Sequence, residues 1–151
     1  MGIFKKARNE GGGSLIEFAI ILPLLLIFLF GIIESGLVLY NKAVITNASR
    51  EGARYGIVAH TPRRTNSEIE LAVLKYCEDR LISVGGEGNP TVIANTYDTN
   101  ANGNNTDFGD DLEVQVNWSY PFLALPNLLD LLGSGFDNPI NLSAKTVMKY
   151  E

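Results

Sequence analysis

The hydrophobic and polar positions divide the chain into regions of different periodicity. Residues 18–33, FAIILPLLLIFLFGII, form an uncharged run of 16 residues, about 24 Å long as a helix at ~1.5 Å per residue. That is just short of a ~30 Å hydrocarbon core, and adding Leu15, Ile16 and the residues up to Tyr40 makes a helix long enough to cross it. Pro23 removes one helical hydrogen bond and should bend the helix locally, which a membrane helix tolerates. Helical patterning continues past the apolar run through NKAVITNASREGARYGIVA. The expected organisation is a basic leader over residues 1–12, a transmembrane helix over 13–40, its continuation over 41–60, and a small exported α+β domain over 61–151.

Beyond His60 the pattern changes. TPRRTN reads as a linker, and Ser67-Glu68-Ile69-Glu70 has the form of a capping box, a serine followed three positions later by a glutamate. Leu71, Leu74, Leu81 and Ile82 supply an apolar face, and Gly85 and Gly86 close the helix. Three strands follow. Residues 91–97 form a modest one. From Leu112 to Tyr120 apolar and polar residues alternate, the period-two signature of a half-buried strand. Ile140, Leu142, Ala144, Thr146, Met148 and Tyr150 alternate again. The fold expected is therefore a long N-terminal membrane helix, one further helix, and an antiparallel sheet of about three strands packed on the emerging helix. The connection PFLALPNLLDLLGSGF is too apolar for an ordinary loop. A core-plugging role is favoured over a patch lying on the bilayer or on a neighbour.

Charge narrows the function classes. The chain carries a formal net charge of −5, and residues 1–12, with Lys5, Lys6, Arg8 and Glu10, contribute +2 of opposite sign. An acidic body without a Lys/Arg cluster gives no phosphate footprint, so no nucleic-acid partner is expected. The basic residues beside the membrane run lie only on its N-terminal side, which places the N-terminus in the cytoplasm and exports the rest. One cysteine, Cys77, excludes an intrachain disulfide, and its place on or beside an apolar helix face reads as a buried small side chain. There is no phosphate-binding glycine loop, no H-E-x-x-H and no G-x-S-x-G, and His60 beside Pro62, Arg63 and Arg64 reads as a solvated linker residue. No enzyme is expected.

The order of the N-terminal residues is the most specific signal. A cleaved secretory signal has small residues after its apolar core, whereas here Gly11, Gly12 and Gly13 precede it. A cut at the glycines releases a charged leader and retains the hydrophobic helix, as in prepilin processing. Glu17 then lies a few residues from the new α-amino group. A carboxylate in lipid costs roughly 2.5–3.5 kcal/mol on insertion scales, which favours pairing with that amine, in its own chain or an adjacent one, over an unpaired place at a helix N-terminus. Glu34, near the outer interface, reads more simply as snorkelling toward headgroups. Farther on, Ala48, Gly52 and Gly56 recur at every fourth position and offer a smooth face for close helix packing, on the chain's own domain or on another subunit.

GGGSLIEFAIILPLLL, the downstream TNASREGARYGIV and the closing NLSAKTVMKYE together resemble the TadE-like family. These are pseudopilins or minor pilins of tight-adherence (Tad/Flp) pili, within the type IV pilus superfamily. The likeness covers residues 11–58 well and the C-terminal strand loosely. It implies a pilin-like fold and cleavage by a membrane prepilin peptidase between Gly12 and Gly13, leaving Glu17 and Phe18 as the fifth and sixth mature residues. A cut after Gly11 or Gly13 would shift that spacing. The partners implied are the peptidase, other pilin or pseudopilin subunits and the Tad secretion machinery, and the location is the inner membrane, then the pilus. Major pilins of this system are very short, so a chain of this length points to a minor, initiating or tip-proximal subunit. The alternative is an uncleaved single-pass anchor carrying an extracytoplasmic binding or adhesion domain.

One loop carries separate chemistry. Asp98, Asn100, Asn102 and Gly103 follow the opening half of a calcium loop, with Asp110 nearby, but Gly109 stands where the closing glutamate belongs. Neutral asparagine ligands make any calcium site weak, and an Asn/Asp/Gly turn without metal is the simpler account. No other cofactor is expected.

Overall fold

A computed structural model describes residues 10–86, 88–130, 133, 135 and 139–150, with side chains from residue 12 onward. Its spine is α1, Glu10–Ile57, a single helix of 48 residues that runs through Pro23. Its continuation ends three residues before the expected position 60. After a short linker comes α2, Asn66–Glu78, then β1, Thr91–Tyr97, and β2, Asp111–Tyr120. A six-residue helix, α3, Leu125–Asp130, lies in the apolar connection, and β3, Ile140–Lys149, closes the fold. The sheet is an antiparallel meander in the order β1-β2-β3, with Val114 opposite Ala94 on one side and Thr146 on the other. The architecture is α+β as expected, with one short helix more.

The period-two reading of the strands holds at the level of side chains. Leu112, Val114, Val116, Trp118 and Tyr120 are all buried, as are Leu142 and Ala144 on β3 and Ala94 on β1. This face of the sheet meets α1 and α2, while Glu113, Lys145, Asp111 and Lys149 lie opposite and form two cross-strand ion pairs. Edge-to-face rings of Trp118, Tyr120 and Phe122 line one end of the core, at centroid separations of 5.6 and 5.2 Å.

Helix α2 differs from expectation in two respects. Its cap is Thr65, whose side chain accepts from Glu68 N at 3.3 Å while the Glu68 carboxylate accepts from Thr65 N at 2.8 Å. Ser67 is already inside the helix, and Glu70 instead accepts the Ala94 N–H of β1 at 3.0 Å. Both registers satisfy the Ser/Thr-x-x-Glu spacing, and contact with β1 selects one of them. The buried face is Ile69, Val73 and Cys77, whereas Leu71 is 65 % exposed and the helix ends before Leu81 and Ile82. The narrower β-branched side chains fit the surface that α1 presents.

Candidate functional site

That surface is built by the small-residue stripe. Ala48 is fully buried, a Cβ placed on Gly52 would overlap Val73 Cγ2, and one on Gly56 would overlap Leu112 Cδ2 and come within 2.6 Å of Ile69 Cδ1. Of the two uses open to the stripe, packing on the chain's own α2 and β2 is the one realised. Buried polar side chains reinforce the same face. Ser49 Oγ lies 2.8 Å from Thr146 Oγ1 of β3. Asn41, fully buried, donates from Nδ2 to Ile82 O at 2.7 Å and accepts from Ile82 N at 2.9 Å, pairing with the post-α2 loop much as a strand would. That loop touches the apolar connection at Gly85, where a Cβ would sit 2.5 Å from Pro121 O and 2.7 Å from Phe122 C. Two backbones approach there, and only glycine leaves them room.

Glu34 does not snorkel. It is 3 % exposed, and its carboxylate accepts the backbone N–H groups of Leu123, Ala124 and Leu125 at 3.2, 2.8 and 3.4 Å. The first two amides lead into α3 and the third opens its first turn, where a helix leaves its N–H groups without an internal partner, so the carboxylate and the helix start satisfy each other. No ion pair reaches Glu34 among the described residues. The Tyr120 hydroxyl is buried without a hydrogen-bond partner, and burial, followed by the Glu34 charge, pushes its pKa up.

Below Glu34 the helix is bare. No residue from 12 to 33 is buried, and Leu15, Ile20, Leu24 and Phe28 are each at least two-thirds exposed. Residues 12–33 span about 33 Å at ~1.5 Å per residue, enough to cross a bilayer unaided. Gly12 and Gly13 lie inside α1 with nothing within 4 Å of either, and Glu17 and Phe18 are exposed on the same stretch. The processing and assembly residues named from the sequence therefore share one uncovered helix end, and the packing residues share the covered one.

At the opposite extreme of the domain lies the Asn/Asp-rich loop. Asp98 accepts from Gly103 N at 2.8 Å and Asn102 N at 3.3 Å, and the Gly103 amide foremost holds its carboxyl below the usual range. Asn100 Oδ1 also accepts from Asn102 N, at 3.1 Å, and the Asn102 side-chain amide donates to Asp107 at 3.1 Å. Asp110, fully buried, turns away to accept from Thr99 N at 3.1 Å and Asp107 N at 2.9 Å. Asp98 and Asp110 thus serve different turns, with Asp110 closing the base of the loop. Among the described residues no group of three His, Cys, Asp or Glu side chains could hold a metal ion. Phe108 projects from this loop, 81 % exposed.

Cys77 is buried against the core, where loss of solvation pushes its thiol up to about 11. His60 is exposed, with Nδ1 2.8 Å from Pro62 O.

The model of the TadE-like protein family matches residues 12–54. The match begins at the bare glycines, passes Glu34 and Asn41, and ends short of Gly56, α2 and the sheet. No curated protein and no solved structure matches the chain. A TadE-like segment on one N-terminal apolar helix fits a Tad pilus-associated, single-pass membrane protein.

Proposed function

We propose, from the premise that residues 12–54 are TadE-like, that the chain is a minor pilin or pseudopilin of a tight-adherence pilus. In this reading the prepilin peptidase cuts between Gly12 and Gly13 on the cytoplasmic side of the inner membrane. The domain stands outside, and α1 leaves the bilayer to join a bundle of like helices, driven by the Tad secretion machinery. The role is structural, without a catalytic centre. Glu17, fifth in the mature chain, neutralises the new α-amino group or that of an adjacent subunit, and Phe18 packs beside it.

The observation that carries this reading is the division of α1 at Glu34. A helix whose outer half is already the spine of a finished domain, and whose inner half has no buried residue, has its free surface where lipid and neighbouring subunits would exchange. An uncleaved anchor needs the same bare span. It does not need three glycines ahead of a carboxylate five residues past the presumed cut.

Intact mass and N-terminal sequence from cells with and without the prepilin peptidase test the proposal. A chain starting at Gly13 only when the peptidase is present is the expected result, and Gly12→Phe should abolish both processing and pili. A chain beginning at Met1 in both strains would leave the membrane-anchored binding domain as the account.

A further inference from the structure

The lowest part of the domain is the connection that grips Glu34. Gly56 faces Leu112, Gly52 faces Val114, and Glu34 faces residues 123–125, so β2 runs antiparallel to α1, with the Asp98–Asp110 loop far from the bare helix and Tyr120 near it. At the near end the chain turns into residues 121–130, and Leu125 Cδ1 lies 3.9 Å from a Cβ placed on Gly31. Gly31 precedes Glu34 by about 4.5 Å of helix. The connection therefore reaches to the membrane side of Glu34, beside Ile32 and Ile33, which are 61 % and 49 % exposed.

The outward residues of this segment do not suit water. Leu123 is 49 % exposed, and Leu125, Leu128 and Leu129 are half-buried, while Phe122 and Pro126 fill the core side. Asn127 and Asp130 are its exposed polar residues, and no basic residue occurs between 121 and 130. The core-plugging reading thus accounts for Phe122, Pro126 and the inner side of Leu125, which packs against the core, and leaves Leu123, Leu128 and Leu129. The leucines form an apolar patch at the level where α1 itself leaves the hydrocarbon, continuous in height with the lipid-facing surface of residues 12–33.

We infer that residues 121–130 rest in the outer interfacial layer of the bilayer, a second membrane contact beside α1, with Glu34 as the positioning residue that holds them there. The inference rests on the reading of α1 as a membrane span. The partner is the acyl–headgroup boundary of a lipid leaflet. The segment enters by its apolar surface, so contact should depend little on headgroup charge or salt. A domain held at two points has a set tilt on the membrane, and entry into a filament requires residues 121–130 to withdraw.

The test uses the full chain in phosphatidylcholine nanodiscs at one copy per disc, with an environment-sensitive fluorophore on Leu123→Cys; native Cys77 is buried and leaves the introduced thiol to react. Expected is blue-shifted emission, quenched at least threefold more by lipids carrying a shallow nitroxide than the same probe on Phe108→Cys. Glu34→Gln in the Leu123→Cys background should lower that quenching about twofold with the circular dichroism retained. Unchanged quenching would remove Glu34 from the role. A Leu123 probe as water-exposed as the Phe108 probe would overturn the lipid contact, as would shielding seen only at several copies per disc, which would make a second chain the occupant. A probe on Leu25→Cys separates the failures. If it is lipid-embedded while the Leu123 probe is aqueous, only the second contact falls; if both are aqueous, the membrane-span reading falls as well.

Discussion

One helix carries two different surfaces in this chain, and the comparison between them explains most of its design. From residue 12 to 33 α1 is almost wholly apolar and has no buried residue, with Leu125 approaching it only near its end at Gly31; from Glu34 to Ile57 it is amphipathic and buried on one side. The same residue types do opposite things in the two halves. Gly12, Gly13 and Gly36 have open space around them, whereas Gly52 and Gly56 exist so that Val73, Ile69 and Leu112 can enter. Glu17 is exposed, whereas Glu34 is enclosed by three amides. A residue's role here follows from which half of the helix it occupies.

The contrast should be sharpest for glycine. Gly52→Leu drives a side chain into β-branched Val73, which has little freedom to move, and should destabilise the domain by about 3 kcal/mol. Gly36→Leu, with nothing within 4 Å, should leave denaturant unfolding in detergent unchanged. Equal losses at the two positions would break the division of α1. Next is Glu34→Ala, which strands three amides and should cost about 2 kcal/mol, with Glu34→Gln near half of that because one acceptor oxygen remains. Glu17→Ala should leave domain stability as it was.

The buried face also sets a pH dependence. Cys77 has its pKa raised from 9.0 to about 11, so the unfolded chain ionises first as pH rises. The stabilisation is fully present below pH 9 and is lost as pH climbs toward 11, by roughly 2 kcal/mol. Stability measured from pH 8 to 11 should fall in the parent and fall less in Cys77→Ala. Smaller still is the cap. Thr65→Ala should cost about 1 kcal/mol, while Ser67→Ala should be near neutral. The reverse ranking would restore the other capping register. Smallest is calcium: with Asp98 and Asp110 committed to separate turns, millimolar calcium should leave the melting temperature unmoved. A shift that disappears in Asp98→Ala would make the loop a calcium site.

Much of this was legible in the residues. The strand positions were, because alternation over Leu112–Tyr120 and 140–150 has one inward solution. The inward role of Glu34 and Asn41 was also present, though easily passed over. Both share the face of Ala48, Glu34 lying fourteen residues before it and Asn41 seven, about four and two helical turns. A carboxylate on that face beside an apolar run reads as interfacial until the distant amides of residues 123–125 are known. Leu71 misled in the opposite way, since size alone does not show that glycines across the interface admit Val73 and Ile69 and leave a leucine outside.

The sequence by itself determined the membrane-length helix, the cleavage-like glycines ahead of Glu17, the three strands and the acidic body, because each is a local pattern of period, charge or order. Only the tertiary structure decided where the bare helix ends, which glycines are packing positions and what Glu34 binds. Those depend on contacts between residues as far apart as Glu34 and Leu125, 91 positions along the chain, and no local pattern encodes which distant backbone will arrive to satisfy a buried charge.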